Sequence, residues 1–413
     1  MSHFTTHLSL HEETELGRAE FLPSLPSARP AVRRFRSAVI STSARAWFES
    51  LMEPAGITVN GSQPYDIQVH NPDLFRRVRH QGTLGLGNAY VDRWWDCDCL
   101  DEFFCRVLQS GAVRRAGLFL PQVLGTARAR LANMQSIGRA FDVGRHHYDL
   151  GNDLFEAMLG PTMAYSCGYW KKAATLDEAE QAKYDLTCRK LDLREGMTVL
   201  EIGCGWGGFA KYAAETYGVK VIGLTVSAEQ AKYAQILCRD LPVEVQLCDY
   251  RSFNGQVDAI VSIGMFEHVG VKNYRTYFDV ARRSLKDDGL FLLHTIGNVK
   301  STITMDPWMS THIFPNGMLP SLRQIGEATE GRFVIEDVHN FGPYYNPTLM
   351  AWHRNFHAAL DAGKLSAQYD DGFARMWDYY LRSCAGAFRA RDLQLYQLVL
   401  SPQGVAGGYR SVR

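Results

Sequence analysis

The sequence predicts an α/β fold, a parallel sheet with helices on both faces. Three observations carry this reading. Strand-like and helix-like segments alternate from Thr198 to His294, a Gly-rich turn separates the first strand from the first helix, and 413 residues with 46% hydrophobic content suffice for two packed domains. Thr198-Val199-Leu200-Glu201-Ile202 reads as a strand, Gly207 to Tyr217 as a helix, Val219 to Leu224 as a strand, Ser227 to Cys238 as a helix and Val243 to Leu247 as a strand. A strand at Ala259 to Ile263, a helix at Tyr274 to Leu285 and a strand at Leu290 to His294 continue the pattern, and Phe333 to Val338 and Leu395 to Leu400 add two strands at the sheet edge.

The first half has a different character. Residues 1–30 are polar and aperiodic and read as a flexible arm. Residues 31–112 read as a small mixed domain of short elements, with turns at Asn60-Gly61 and Gly85-Leu86-Gly87-Asn88 and an amphipathic stretch from Leu100 to Leu108. Residues 113–140, basic but interspersed with Leu and Ala, read as a helical linker, which leaves residues 141–413 for the α/β domain.

Composition excludes several function classes. Lys and Arg number 44 and so do Asp and Glu, which gives no global charge to draw the chain onto nucleic acid; any membrane contact must come from local patches. Nine scattered cysteines lack the dense spacing of a secreted disulfide scaffold, so a reducing cytoplasm is expected. No run approaches the roughly 20 apolar residues of a spanning helix, and a membrane would be visited from the water side. Cys97-x-Cys99 lacks a partner pair and His146-His147 stands alone, so no metal is expected.

The chemistry is expected at the carboxyl ends of the strands, where open α/β sheets bind ligands. Glu201-Ile202-Gly203-Cys204-Gly205-Trp206-Gly207-Gly208 lets backbone N–H groups approach a nucleotide-like cofactor, but the glycines alone leave NAD and S-adenosylmethionine open. The next strand ends Gly223-Leu224-Thr225-Val226-Ser227 without the ribose-binding acid of a dehydrogenase, which disfavours NAD but equally weakens a generic methyltransferase reading, since that superfamily commonly places an acid there too. Glu267-His268 follow one strand and His294 ends another; an acid and an imidazole so placed can share a bound anion and move a proton, or can be a helix-start acid and a satisfied core histidine. Cys167 and Cys384 lie in Gly- and aromatic-flanked contexts and are equally readable as small buried hydrophobes.

Taken together these segments resemble the bacterial two-domain cyclopropane-fatty-acyl-phospholipid synthases. The likeness runs from Ala55-Gly56-Ile57-Thr58-Val59-Asn60-Gly61 through Trp94-Trp95, His147-Tyr148-Asp149-Leu150-Gly151-Asn152-Asp153, the Gly-rich turn, Met265-Phe266-Glu267-His268-Val269-Gly270 and Ile313-Phe314-Pro315-Asn316-Gly317 to Ala385-Gly386-Ala387-Phe388-Arg389. The resemblance implies a seven-stranded Rossmann-like class I methyltransferase fold with a smaller N-terminal α+β domain. It implies methyl transfer from S-adenosyl-L-methionine to a cis double bond of a phospholipid acyl chain, followed by proton loss and ring closure; a relative that stops before closure would leave methyl-branched or methylene lipids. A bound bicarbonate accepts the proton in that family, and its ligands carry over to Cys167, Glu267, His294 and Tyr345, with the Ile296 backbone nearby. Cys384 matches a cysteine that sits near the site without being required. Cofactor contacts carry over to Tyr165, Ser166, Glu201, Gly203, Cys204, Gly205, Trp206, Gly207, Thr225, Gln230, Tyr250 and Arg251. Tyr165, Tyr169, Trp170 and Phe266 are aromatic faces able to stabilise a cation. Two departures stand out: His146 replaces an acid, and Tyr344-Tyr345-Asn346-Pro347 leaves the choice between the two tyrosines open. The resemblance further implies a homodimer, peripheral at the inner membrane surface and facing a bilayer of unsaturated phospholipid.

Overall fold

The computed structural model describes residues 43–112 and 151–413. The expected arm (1–30), the linker (113–140) and His146 lie outside the described residues. The order is α1 (Ala44–Met52), β1 (Gln68–Val69), α2 (Asp73–Val91), β2 (Trp95–Asp96) and α3 (Leu100–Ser110), then α4 (Asn152–Leu159), α5 (Leu176–Lys190), β3 (Thr198–Ile202), α6 (Gly208–Tyr217), β4 (Lys220–Thr225), α7 (Ala228–Leu237) and β5 (Val243–Leu247). There follow β6 (Val257–Ile263), α8 (Tyr274–Ser284), β7 (Leu285–Asn298), α9 (Pro307–His312), α10 (Leu322–Thr329), β8 (Val334–Asn340), α11 (Tyr345–Asp361), α12 (Asp371–Arg389) and β9 (Leu393–Ser401).

One seven-stranded sheet has the order β5-β4-β3-β6-β7-β9-β8, parallel except that β9 runs antiparallel to both β7 and β8. This is the fold class expected, a class I methyltransferase sheet. β3 and β6 are nearly continuous apolar runs because both of their faces are covered. The order reverses at β3, so the crevice beyond its carboxyl end is a topological switch point.

Capping explains where the helices begin. Thr175 and Glu178 form a reciprocal capping box at the start of α5, and Ser321 with Gln324 does the same for α10. Residues 43–112 are mostly helical; their only sheet among the described residues is the two-residue β1–β2 pair. Asn60 turns with φ +56°, as its sequence suggests. Gly85-Leu86-Gly87-Asn88, expected as a turn, is instead interior to α2, and the helix breaks its geometry three residues earlier at Gly82 (φ 60°, ψ −135°). The reason is packing: a Cβ at Gly87 would fall inside the Trp308 indole, so glycine here permits close approach rather than turning.

A single apolar cluster joins this segment to the C-terminal helices. Trp95 packs on Phe103 and Tyr379, and Gly386 of α12 lies so close to α3 that a Cβ would overlap the Asp101 carbonyl. Tyr90 Oη donates to Asp378 Oδ2 at 2.6 Å, and Arg389 Nη1 to Asp101 Oδ2 at 2.8 Å.

Candidate active site

The turn after β3 is built for close backbone approach. Gly203, Gly205 and Gly207 have φ of +85°, +53° and +87°, and a Cβ at Gly203 would sit 2.7 Å from that of Met265. Gly203 and Cys204 N–H both donate to the Leu224 carbonyl, at 2.9 and 2.8 Å, which locks the turn to β4. Above it lies a cavity of about 180 Å³. Its walls include Tyr165, Ser166, Glu201, Gly203, Cys204, Gly205, Trp206, Thr225, Gln230, Tyr250 and Arg251. Gly207 is absent from the wall; it begins α6 and packs against Ala234.

Polar contacts fix the cavity's outer residues. The Ser227 hydroxyl caps α7 by accepting from Gln230 N, which aims the Gln230 side chain back at β4, where Thr225 Oγ1 donates to Gln230 Oε1 at 3.0 Å. These two residues fill the place where a dehydrogenase would carry its ribose acid. Asp249, missed in the sequence, also lines the cavity and accepts from Arg251 Nε and Nη2, both at 2.7 Å. Its signal was available: a carboxylate two residues past the end of β5. Lys183 was missed as well. It is fully buried on α5 and donates to Ser166 Oγ at 2.8 Å. Burial lowers its pKa to about 8, while Glu180, Cys167 and Glu201 oppose that shift.

A second, larger cavity of about 770 Å³ is lined mainly by apolar side chains. Its lining includes Phe48 and Met52 of α1, Val78 and Leu86 of α2, Phe103 and Val107 of α3, and Tyr345, Trp352, Tyr380 and Cys384. Glu267 and Ile296 stand on its wall, and Tyr165, Gly264 and His268 line both cavities. The two spaces therefore meet beyond the end of β6. Tyr165 is held there by Phe155 and Trp352, ring centroids 5.3 and 5.2 Å away, and by a 2.8 Å contact of its hydroxyl with that of Tyr380.

Glu267 belongs to the short turn after β6. Its Oε1 accepts from Ile296 N at 2.7 Å, whereas Oε2 is buried without a partner, and burial lifts the carboxyl to about 7. His294 shares a face of β7 with Ile296, two residues on. Gln397 Nε2 faces His294 Nδ1 at 3.2 Å, and an amide donating to Nδ1 leaves the ring proton on Nε2, which is buried and unpartnered. Burial, with Lys183, Lys190 and His339 nearby, holds this imidazole well below its usual range and hence neutral. Burial also drives the Tyr345 phenol well up, with Cys167 and Glu267 adding to the effect. His268, noted in the sequence beside Glu267 but not among the residues carried over by the resemblance, is pushed down to about 4 by burial, and its Nδ1 has no partner.

The sequence-derived set is only partly assembled on the cavity walls. Glu267, Ile296, Tyr345 and Cys384 line the large cavity, but Cys167 and His294 line neither. Cys167 is completely buried beside Thr348 Oγ1 at 3.8 Å, its thiol pushed up by burial. Tyr345 and not Tyr344 reaches the large cavity; Tyr344 packs against Tyr169 and Phe341. Of the four aromatic faces, only Tyr165 lines either of these two cavities. Phe266 stacks on Tyr274 with centroids 4.2 Å apart, Tyr169 packs against Phe341, and Trp170 Nε1 donates to Thr348 Oγ1 at 2.8 Å.

Known proteins resemble this chain in sequence and fold. The family model for mycolic acid cyclopropane synthetase matches residues 135–398. The chain is 55% identical over 363 residues, 88% of its own length and 94% of the relative's, to the cyclopropane-fatty-acyl-phospholipid synthase of Escherichia coli (strain K12). Among solved structures, the cyclopropane synthase MmaA2 from Mycobacterium tuberculosis superposes with a TM-score of 0.59 at 34% identity, covering 63% of this chain and 97% of that one. The mycolic acid cyclopropane synthase CmaA1 complexed with SAH and CTAB gives 0.58 at 36% identity, with coverage of 63% and 97%.

Proposed function

The chain belongs to the mycolic acid cyclopropane synthetase family and is an S-adenosylmethionine-dependent methyltransferase, and from that premise we propose that it builds cyclopropane rings on the cis double bonds of unsaturated phospholipid acyl chains. The observation that carries the proposal is the shared wall of the two cavities at Tyr165, Gly264 and His268. A donor seated over the Gly203 turn would meet an apolar chain in the larger space at that junction.

The chemistry asks for such a place. An alkene is a weak nucleophile, so the methyl and the double bond must be held in near-attack geometry with water excluded from the cation that forms. The predominantly apolar walls serve exclusion, and Tyr165, Trp352 and Tyr380 on that wall are aromatic side chains of the kind that stabilises positive charge. Proton removal falls to the Glu267 end of the large cavity. Bicarbonate, when bound, supplies the base for that step. Two residues of that wall suit it: Glu267 Oε2 is a buried polar atom without a protein partner, and burial keeps the Tyr345 phenol a neutral donor, while His294 Nε2, also buried and unpartnered, belongs to β7 and lines neither cavity. Glu267, with a pKa of about 7, can carry the proton that lets it face an anion without repulsion. Ile296 N orients Glu267, and Gln397 orients His294.

Peripheral binding to a bilayer forms part of the same proposal. No helix among the described residues is long and apolar enough to cross a membrane. Val299, 69% exposed, and Lys300 both border the large cavity, an apolar and a basic contact suited to an anionic lipid surface beside the opening. Homodimerisation through the N-terminal segment is also proposed, and light scattering should give twice the chain mass. The activity test is incubation of the pure chain with unsaturated phospholipid vesicles and methyl-labelled S-adenosylmethionine. Labelled cyclopropane acyl chains are expected by mass spectrometry. Label confined to small molecules would overturn the proposal, and label only in methyl-branched or methylene chains would overturn ring closure.

A further inference from the structure

Three side chains that line neither cavity converge between α11 and α12. His353 and His357 are four residues apart on α11 and so share one helix face, and Asp378 projects from α12. His353 Nε2 lies 2.6 Å and His357 Nε2 3.5 Å from the same carboxylate oxygen, Oδ1, and the three ligand atoms all lie within 4.8 Å of one another. The other carboxylate oxygen, Oδ2, accepts from Tyr90 Oη at 2.6 Å, which fixes the orientation of the group.

We propose that His353, His357 and Asp378 form a binding site for a divalent first-row transition metal of the zinc class. Two histidines at i and i+4 on a helix with a carboxylate from a neighbouring element make a three-ligand set of the kind zinc accepts, with water in the fourth position. Tetrahedral coordination at about 2.0–2.1 Å puts ligand atoms roughly 3.3 Å apart. The observed 2.6 and 3.5 Å from the carboxylate to the two rings bracket that spacing. His357 is 37% exposed, which gives the ion and its water a route in, while Asp378 is 11% exposed. Tyr90 serves as the outer partner that metal-bound carboxylates commonly have. Arg382 is the competing cation. Its Nη1 stands 3.8 Å from Oδ2, on the side away from the histidines, and it also contacts Asp101 Oδ1 at 3.6 Å and the Asp98 carbonyl, so it does not depend on Asp378. Trp352, next to His353, and Tyr379, next to Asp378, both line the large cavity. An ion here would clamp α11 to α12 and, through Tyr90, to α2 behind that wall.

The test is a cobalt titration of the full chain without a histidine tag, reading the visible absorption of four-coordinate Co²⁺. One saturating equivalent is expected, displaced by Zn²⁺. His353→Ala and His357→Ala should each weaken binding at least about tenfold, while His312→Ala, a histidine on α9 paired with Asn88, should leave it unchanged. Zn²⁺ should raise the thermal midpoint of the unaltered chain by about 2 °C or more and fail to do so in the alanine variants. If neither alanine variant folds, Tyr90→Phe keeps all three ligands and should still weaken the site by about tenfold. Absence of a saturable band in the unaltered chain overturns the proposal. So does a cobalt affinity that is unchanged when His353 or His357, or the Tyr90 hydroxyl in the fallback case, has been removed.

Discussion

Replacing Glu267 with glutamine separates two consequences of burying this carboxyl. Glutamine keeps an oxygen to accept from Ile296 N, as Oε1 does now at 2.7 Å, but it cannot ionise. In the folded chain the carboxyl titrates near 7, against an ordinary value of 4.5. At about 1.4 kcal/mol for each tenfold change in proton affinity, ionising it in place costs about 3 kcal/mol of stability. Because the folded chain holds this proton more tightly than the unfolded chain, the contribution is complete below 4.5 and is lost as pH rises through about 7. Glu267→Gln should therefore match the unaltered chain in urea denaturation at about pH 4.5, and exceed it by about 3 kcal/mol at about pH 8.5, in degassed buffer without bicarbonate. Turnover should be abolished in the same variant, with S-adenosylmethionine binding by calorimetry unchanged. A stability difference that is the same at both pH values would refute the reasoning, since the carboxylate would then ionise without cost and Oε2 would not be an enclosed, unpartnered atom.

Gln397→Leu removes the donor that faces His294 Nδ1 and should lower kcat by about 10- to 100-fold with unchanged cofactor affinity; an unchanged kcat would mean that the imidazole needs no orienting partner. Thr348→Val deprives Gly168 N and Trp170 Nε1 of their shared acceptor and should destabilise the chain by about 2–3 kcal/mol in urea, a smaller loss showing that water replaces the hydroxyl. Gly87→Ala sets a helix-propensity gain of about 1 kcal/mol against overlap with the fully buried Trp308 indole; overpacking should dominate, for a net loss of about 1–2 kcal/mol in the thermal midpoint analysis.

The central sheet was legible because its strands are short apolar runs bounded by glycine and polar turns. Thr198–Ile202 and Val243–Leu247 have the bounds their sequences suggest. β7 was expected over Leu290 to His294 but spans Leu285–Asn298. Lys286, Asp287 and Asp288 look like a loop, whereas the far end is extended by pairing with β9 through Asn298↔Leu393, a contact 95 residues distant that local pattern does not encode. The α2 glycines failed differently: glycine reports either a turn or a close approach, and only the position of Trp308 separates the two.

The site divided along a similar line. The smaller cavity is lined largely by turn residues at strand ends, which sequence pattern locates. Lys183 was hidden because α5 buries a polar stripe, Glu180, Lys183, Thr187 and Lys190, at helical spacing where an amphipathic reading expects solvent. Its partners, such as Ser166, come from other elements. The expectation of no metal weighed Cys97-x-Cys99 and His146-His147 and passed over the i,i+4 pair His353 and His357, whose carboxylate partner is 21 residues beyond the second histidine. Glu267 was found in the sequence, but the property that matters, a carboxyl with one satisfied and one orphaned oxygen, depends on how β6 and β7 lie side by side.

The central claim is that donor and acyl chain meet where Tyr165, Gly264 and His268 line both cavities. A crystal structure with S-adenosylhomocysteine and a cis-unsaturated phospholipid tests it most directly. The account predicts the nucleoside over the Gly203 turn, the acyl chain in the larger cavity, and the double bond at the Tyr165–His268 junction facing the donor sulfur. An acyl chain bound elsewhere, or a double bond out of reach of that sulfur, would contradict it.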